Sequence, residues 1–146
     1  MTAPRTRPIL IGAAVVAALI AALVVTSVRT RPVRHSVIAF TELLAAANLQ
    51  DLPRARGLCS SRYLGAHPLE PSAEGGIVGL PRNMHPNFQA WRDGPHVWIC
   101  PTNRVGPIYQ FTREAGAWKF DGPVGLLRGR GRILLDPELT PPENSD

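Results

Sequence analysis

The sequence predicts an α+β protein: an N-terminal transmembrane helix, then a small domain of two or three helices packed on an antiparallel sheet. Three observations predict it. An uncharged apolar run fills residues 9–28, apolar residues recur at helical spacing over 37–64, and period-two alternation with turn signals occupies 88–135.

The apolar run comes first. From Ile9 to Val28 there are twenty residues without a charge, and seventeen are Ala, Val, Ile or Leu. At about 1.5 Å per residue such a helix is roughly 30 Å long, the thickness of a bilayer's hydrocarbon core. Its backbone groups satisfy one another, as the bilayer interior requires. Arg5 and Arg7 flank one end, and Arg29, Arg31 and Arg34 the other. Their charges resist entering the bilayer and fix the ends. A cleaved signal is the alternative, but its apolar stretch is shorter and ends in small residues, whereas Val24–Val28 is rich in β-branched residues. The arginines on the two sides nearly balance. A short N-terminal tail (1–8) before a large C-terminal part favours a signal-anchor that exports the domain. The inverse orientation would leave the domain cytoplasmic, with free thiols. Alanines at four-residue spacing from Ala13 and Ala14 would permit close helix pairing, though Ala is also ordinary filler in such spans.

Charge excludes one function class. The chain's formal net charge is +5, and residues 1–34 hold five arginines and no acid. Beyond them eleven basic side chains balance eleven acidic ones. A nucleic-acid site would place a basic patch on the domain. The one candidate, Arg128-Gly-Arg-Gly-Arg132, has no interleaved aromatics and reads as a solvated loop. No nucleic-acid partner is expected. The partners expected are the lipid bilayer and a second membrane or envelope protein.

Residues 29–35 read as a basic linker and 36–136 as one domain. Ser36 is placed to cap a helix from Val37 to Ala47, whose apolar stripe is Val37, Phe40, Leu43, Leu44 and Ala47. Asn48 can end it in a left-handed conformation. Asp51 then caps a second helix, with Pro53 in its first turn, running through Leu58 and Cys59 toward Leu64. Residues 65–86 are rich in Pro and Gly and predict loop, with one short strand at Ile77–Leu80. Phe88–Trp91 and His96–Cys100 read as strands around the Asp93-Gly94-Pro95 turn. Pro107–Arg113 and Ala117–Asp121 form the clearest hairpin, turning at Glu114-Ala115-Gly116, with Tyr109, Phe111, Trp118 and Phe120 on its half-buried faces. Gly122-Pro123 ends it, and Val124–Leu127 and Arg132–Leu135 add edge strands. The final stretch, 137–146, is acidic and proline-rich and predicts a disordered tail.

The stretches "AAANLQDLPRARGLCSSRYL" (45–64) and "IYQFTREAGAWKFDGP" (108–123) resemble the opening helices and the Gly-x-Trp-Lys hairpin of NTF2-like, cone-shaped α+β domains. The resemblance covers these stretches and not the Pro/Gly-rich middle. It implies a curved sheet wrapping a pocket. It implies no reaction, because that fold serves enzymes and binding modules alike.

Cys59 and Cys100 are the only cysteines. Outside the cytoplasm they could bridge where helix crosses sheet; the other reading is two separate buried thiols. His35, His67, His85 and His96 show no metal-ligand spacing, and no cofactor is expected. Asp93, Asp121, His67, His85 and His96 are the residues that acid–base work in a pocket would draw on. Both aspartates precede a glycine, which a turn explains. No nucleophile elbow, P-loop or dinucleotide fingerprint occurs. The sequence therefore points to a single-pass membrane protein with an extracytoplasmic binding or accessory domain. A membrane-tethered enzyme of the cone fold is the alternative.

Overall fold

The computed structural model describes residues 7–129 and 132–135, with side chains from Val16 onward except at Arg132, Leu134 and Leu135. Arg5 and the expected tail 137–146 lie outside the described residues. The chain divides into two compact units, Met1–Pro32 and Val33–Asp146.

The first helix, α1, runs from Arg7 to Asn48 and includes Pro32. The expected basic linker and fresh start at Ser36 are therefore absent. The linker contains no glycine, and its arginines are good helix formers. Pro32 forfeits one amide bond and crowds the carbonyl four residues back, a cost that α1 bears without ending. Ser36 caps nothing; its hydroxyl is buried inside the helix with no partner. Local cap signals lost to the continuity of the helical ladder. The polar residues near the end of the apolar run are satisfied within α1. Thr26 donates to the Ala22 carbonyl at 2.9 Å, Ser27 to Val24 at 2.9 Å, and Thr30 to Thr26 at 3.0 Å. Such back-bonding lets a hydroxyl sit in an apolar medium. Arg29, Arg31 and Arg34 are exposed.

The left-handed residue after α1 is Gln50 (φ 55°), not Asn48. The Gln50 amide donates to Ala47 at 3.1 Å and the Asp51 amide to Ala46 at 2.9 Å, the paired bonds of a Schellman stop. Asn48 instead donates its side-chain amide to the Arg82 carbonyl. Asp51 caps α2 (Leu52–Leu58) as expected, accepting from the Arg54 amide at 3.1 Å. The second helix stops there. Cys59 is extended, and Ser60 caps a separate α3 (Ser61–Ala66). The loop that follows contains an isolated bridge between Pro71 and Ile77 in place of the expected strand at Ile77–Leu80.

The curved sheet has five antiparallel strands in sequence order: β1 (Gln89–Asp93), β2 (His96–Cys100), β3 (Val105–Glu114), β4 (Ala117–Arg128) and β5 (Arg132–Leu135). The Glu114-Ala115-Gly116 signal makes the β3–β4 hairpin, with Glu114 opposite Ala117. Gly122-Pro123 does not end β4. The strand absorbs both residues through two irregularities. Asp121 stands unpaired between Phe120, opposite Phe111, and Gly122, opposite Gln110. Val124 stands unpaired in the same way between Pro123 and Gly125. Each bulge bends the strand and increases its twist. Beyond β3, the other edge of β4 is shared. Cys59 bridges Phe120 in parallel and the Ser60 amide donates to the Phe120 carbonyl at 2.8 Å, while β5 pairs with Gly125–Arg128.

The main core joins Phe40, Leu43 and Ala47 of α1 to Val97, Ile99, Phe111 and Phe120 of the sheet. Phe40 meets Phe111 edge-on at 5.8 Å, and Phe111 meets Phe120 at 5.8 Å. A second, smaller cluster of Cys100, Ile108, Val124 and Leu127 packs with Trp91 and Trp98. Strand alternation puts it on the opposite face of the sheet from Val97, Ile99 and Phe111.

Candidate functional site

The strongest concentration of polar chemistry in the domain surrounds Asp121. Its position on a bulge turns its carboxylate into the protein, where the side chain is only 3% exposed. The N-cap and first turn of α3 reach it from one side. Ser60 donates its hydroxyl to Oδ1, and Arg62 donates Nε to Oδ1 at 3.0 Å and Nη2 to Oδ2. From β3, Gln110 donates Nε2 to Oδ2 at 3.1 Å. Gln110 is itself oriented by β2, because Trp98 donates its indole N–H to Oε1 at 3.1 Å. The Ser60 oxygen also accepts the Tyr63 amide at 3.0 Å, so one hydroxyl caps α3 and binds the carboxylate.

Each oxygen of Asp121 thus accepts two hydrogen bonds, which fills its acceptor capacity. A carboxylate so occupied has no free acceptor position to offer a substrate. Its evident work is to tie α3, β3 and β4 together. The expected turn role for Asp121 is corrected accordingly: it is a buried bulge residue. Ser60 and Ser61 begin α3.

A second carboxylate meets the same helix start. Glu114 accepts from the Ser61 amide at 3.0 Å and from the Ser61 hydroxyl. These bonds hold its carboxyl below the ordinary value of 4.5, the hydroxyl bond first and the amide bond second, with the Lys119 charge acting in the same direction. Lys119 donates to the Gly57 carbonyl at the end of α2. Tyr63 then locks the outer loop. Its hydroxyl donates to the Gly79 carbonyl at 2.8 Å, and its ring lies against Gly122. A Cβ on Gly122 (φ 102°) would stand 3.0 Å from the ring, and one on Gly79 2.9 Å from the hydroxyl. Burial pushes the Tyr63 phenol up to about 12, so it remains a donor at any physiological pH.

The structure does not bring Cys59 and Cys100 together. Both are buried free thiols. Cys59 belongs to the main core and Cys100 to the cluster on the other sheet face, so the sheet itself separates them. Burial pushes the Cys59 thiol up to about 12, which keeps it protonated. The histidines are also dispersed. His67 stacks on Tyr63 at 4.7 Å, His85 accepts the Asn87 amide through Nδ1 at 3.0 Å, and His96 buries an Nδ1 without a partner. His35 is exposed on α1, and Asp93 is exposed opposite His96 in the β1–β2 ladder. Among the described residues no three His, Cys, Asp or Glu side chains gather as metal ligands would.

Sequence reading missed Ser60, Arg62 and Gln110 as partners of Asp121. No spacing rule joins positions 11, 59 and 61 residues apart. A signal was present in the unbroken strand pattern on both sides of Gly122-Pro123, which a bulge explains better than a chain end. Comparison with protein-family models, with curated proteins and with solved structures finds no match to this chain.

Proposed function

We propose that this is a single-pass membrane protein. Residues 9–28 anchor it, and its α+β domain lies outside the cytoplasm as a binding or accessory module. One observation carries the anchor: the apolar face of α1 that precedes the domain is left uncovered on all sides. Val16, Leu19, Ile20, Leu23, Val24, Val25 and Val28 are all exposed, with Leu23 at 69%. Among the described residues, α1 supplies the one helix long and apolar enough to cross a bilayer. A soluble protein would leave such a face in water at roughly 25 cal/mol per Å². The saturated Asp121 carboxylate supports a binding or accessory role over acid–base catalysis. The NTF2-like resemblance stays part of the proposal and rests on the two sequence stretches alone.

The test uses the full chain in cells. After alkaline carbonate extraction it remains in the membrane pellet, with residues 9–28 intact by N-terminal sequencing. Release into the supernatant, or a mature chain that begins beyond Val28, overturns the anchor. Topology is read with Ala73→Cys, an exposed loop position, since Cys59 and Cys100 are buried. An impermeant maleimide labels this variant in intact cells. Labelling only after lysis overturns the extracytoplasmic placement.

A further inference from the structure

The sheet carries a charged and apolar end that the Asp121 cluster leaves unused. The turn before β3 and the turn after β4 are neighbours, because the Gly129 amide donates to the Arg104 carbonyl at 2.9 Å. Arg104 and Arg128 therefore stand close together, both exposed. In the ladder Val105 lies opposite Arg128, and Arg128 opposite Arg132. The exposed charges of Arg104 and Arg128, held this close, repel each other. Residues 100–113 and 122–135 contain no acid. Neither Arg104 nor Arg128 has an acidic partner among the described residues. The same end exposes apolar surface. Val105 is 63% exposed and Leu126 39%. Leu126 is two residues from Arg128 in β4, so the two side chains share a face with Val105.

We propose that this end of the sheet, built from Arg104, Val105, Leu126 and Arg128, binds the anionic phospholipid headgroups of a bilayer surface. The repulsion between Arg104 and Arg128, a cost in the free domain, becomes affinity when phosphate lies against them. Guanidinium groups suit that contact, since their planar donor fork matches phosphate oxygens. The apolar side chains distinguish lipid from nucleic acid. They fit the headgroup–acyl boundary, and the patch lacks the aromatic platforms on which bases stack. The proposal takes from the anchor reading that a bilayer is within reach.

The test places the full chain in nanodiscs of phosphatidylcholine alone, or of equimolar phosphatidylcholine and phosphatidylglycerol, each containing brominated acyl chains. Asn103→Cys, an exposed position beside Arg104, carries an environment-sensitive dye. The dye is quenched in the anionic discs and not in the neutral ones. Arg104→Gln and Arg128→Gln each lower the docked-to-free ratio about fivefold, the effect of one basic residue near an anionic surface. Rising salt gives the same loss in the chain with both arginines, so the result does not depend on a variant folding. Equal quenching in the two disc types overturns the proposal while the anchor stands. A dye that responds to a DNA duplex and not to anionic lipid overturns it in favour of nucleic acid. A chain that never enters either disc overturns the anchor and this surface together.

Discussion

Replacing Asp121 by Asn removes one charge and keeps the shape, so it isolates the chemistry of the cluster. The carboxylate accepts four bonds, from Ser60, twice from Arg62, and from Gln110. An amide can accept only on its oxygen side; its nitrogen must face donors. If the nitrogen points toward Oδ2, it meets Arg62 Nη2 and Gln110 Nε2. Gln110 could flip to offer its oxygen, but its nitrogen would then face the Trp98 indole N–H. If the nitrogen points toward Oδ1, Ser60 can rotate to accept, but Arg62 Nε cannot. Every arrangement leaves at least one donor unmet. Losing a charge-assisted bond costs about 1.5–3 kcal/mol, and a stranded buried donor about 1–3 kcal/mol more. Arg62 is 39% exposed, so water recovers part of its share. A net loss of about 3 kcal/mol follows, from a domain stability of about 5–15 kcal/mol. Urea unfolding of the full chain in detergent, followed by tryptophan emission, measures it. With a slope of about 1.5 kcal/mol per molar urea, the midpoint falls by about 2 M. A loss below about 1 kcal/mol would show that water reaches the carboxylate, and the buried, saturated cluster described above would be refuted.

Two further outcomes follow from the same corner of the domain. Gly122→Ala forces a Cβ against the Tyr63 ring at a backbone angle that alanine avoids, and destabilises by about 2 kcal/mol or more. Tyr63→Phe, which loses only the bond to Gly79, costs about 1 kcal/mol. Equal losses in thermal unfolding would contradict the contact between ring and glycine. Glu114 has a depressed folded-state value, so its contribution is fully present above the ordinary 4.5 and fades as pH falls through the folded value. The stability gap between the native chain and Glu114→Gln is therefore flat at neutral pH and narrows in acid. A gap that widens on acidification would mean that Ser61 does not hold the carboxylate.

Local signals carried far in this chain where the deciding neighbours were close in sequence. Asp51 caps α2 through an amide three residues away, and the β3–β4 turn needs only Ala115 and Gly116. The α1 stripe was legible because Phe40, Leu43 and Ala47 share one helical face. Failures occurred where a local cue competed with a longer-range arrangement. Ser36 resembles a cap but lies within a helix already formed, and Gly122-Pro123 resembles a terminator but is carried by bulges. The cysteine pair could not be judged at all from spacing, because which face of the sheet each occupies depends on the register of β2 and on the path from α2 to α3. The Asp121 cluster was invisible for the same reason, its partners coming from two stretches of chain far from it in sequence.

The shared edge of β4 has a consequence for how the molecule meets its own copies. An open strand margin offers unpaired amides and carbonyls on which another chain can zip. Along β4 that margin is occupied twice over, first by Cys59 and Ser60 and then by β5, with the bulged stretch at the handover. Among the described residues the two outermost strands are brief: β5 with four residues and β1 with five. Crowded side by side, such molecules present only short outer strands on which to nucleate ribbon-like aggregates.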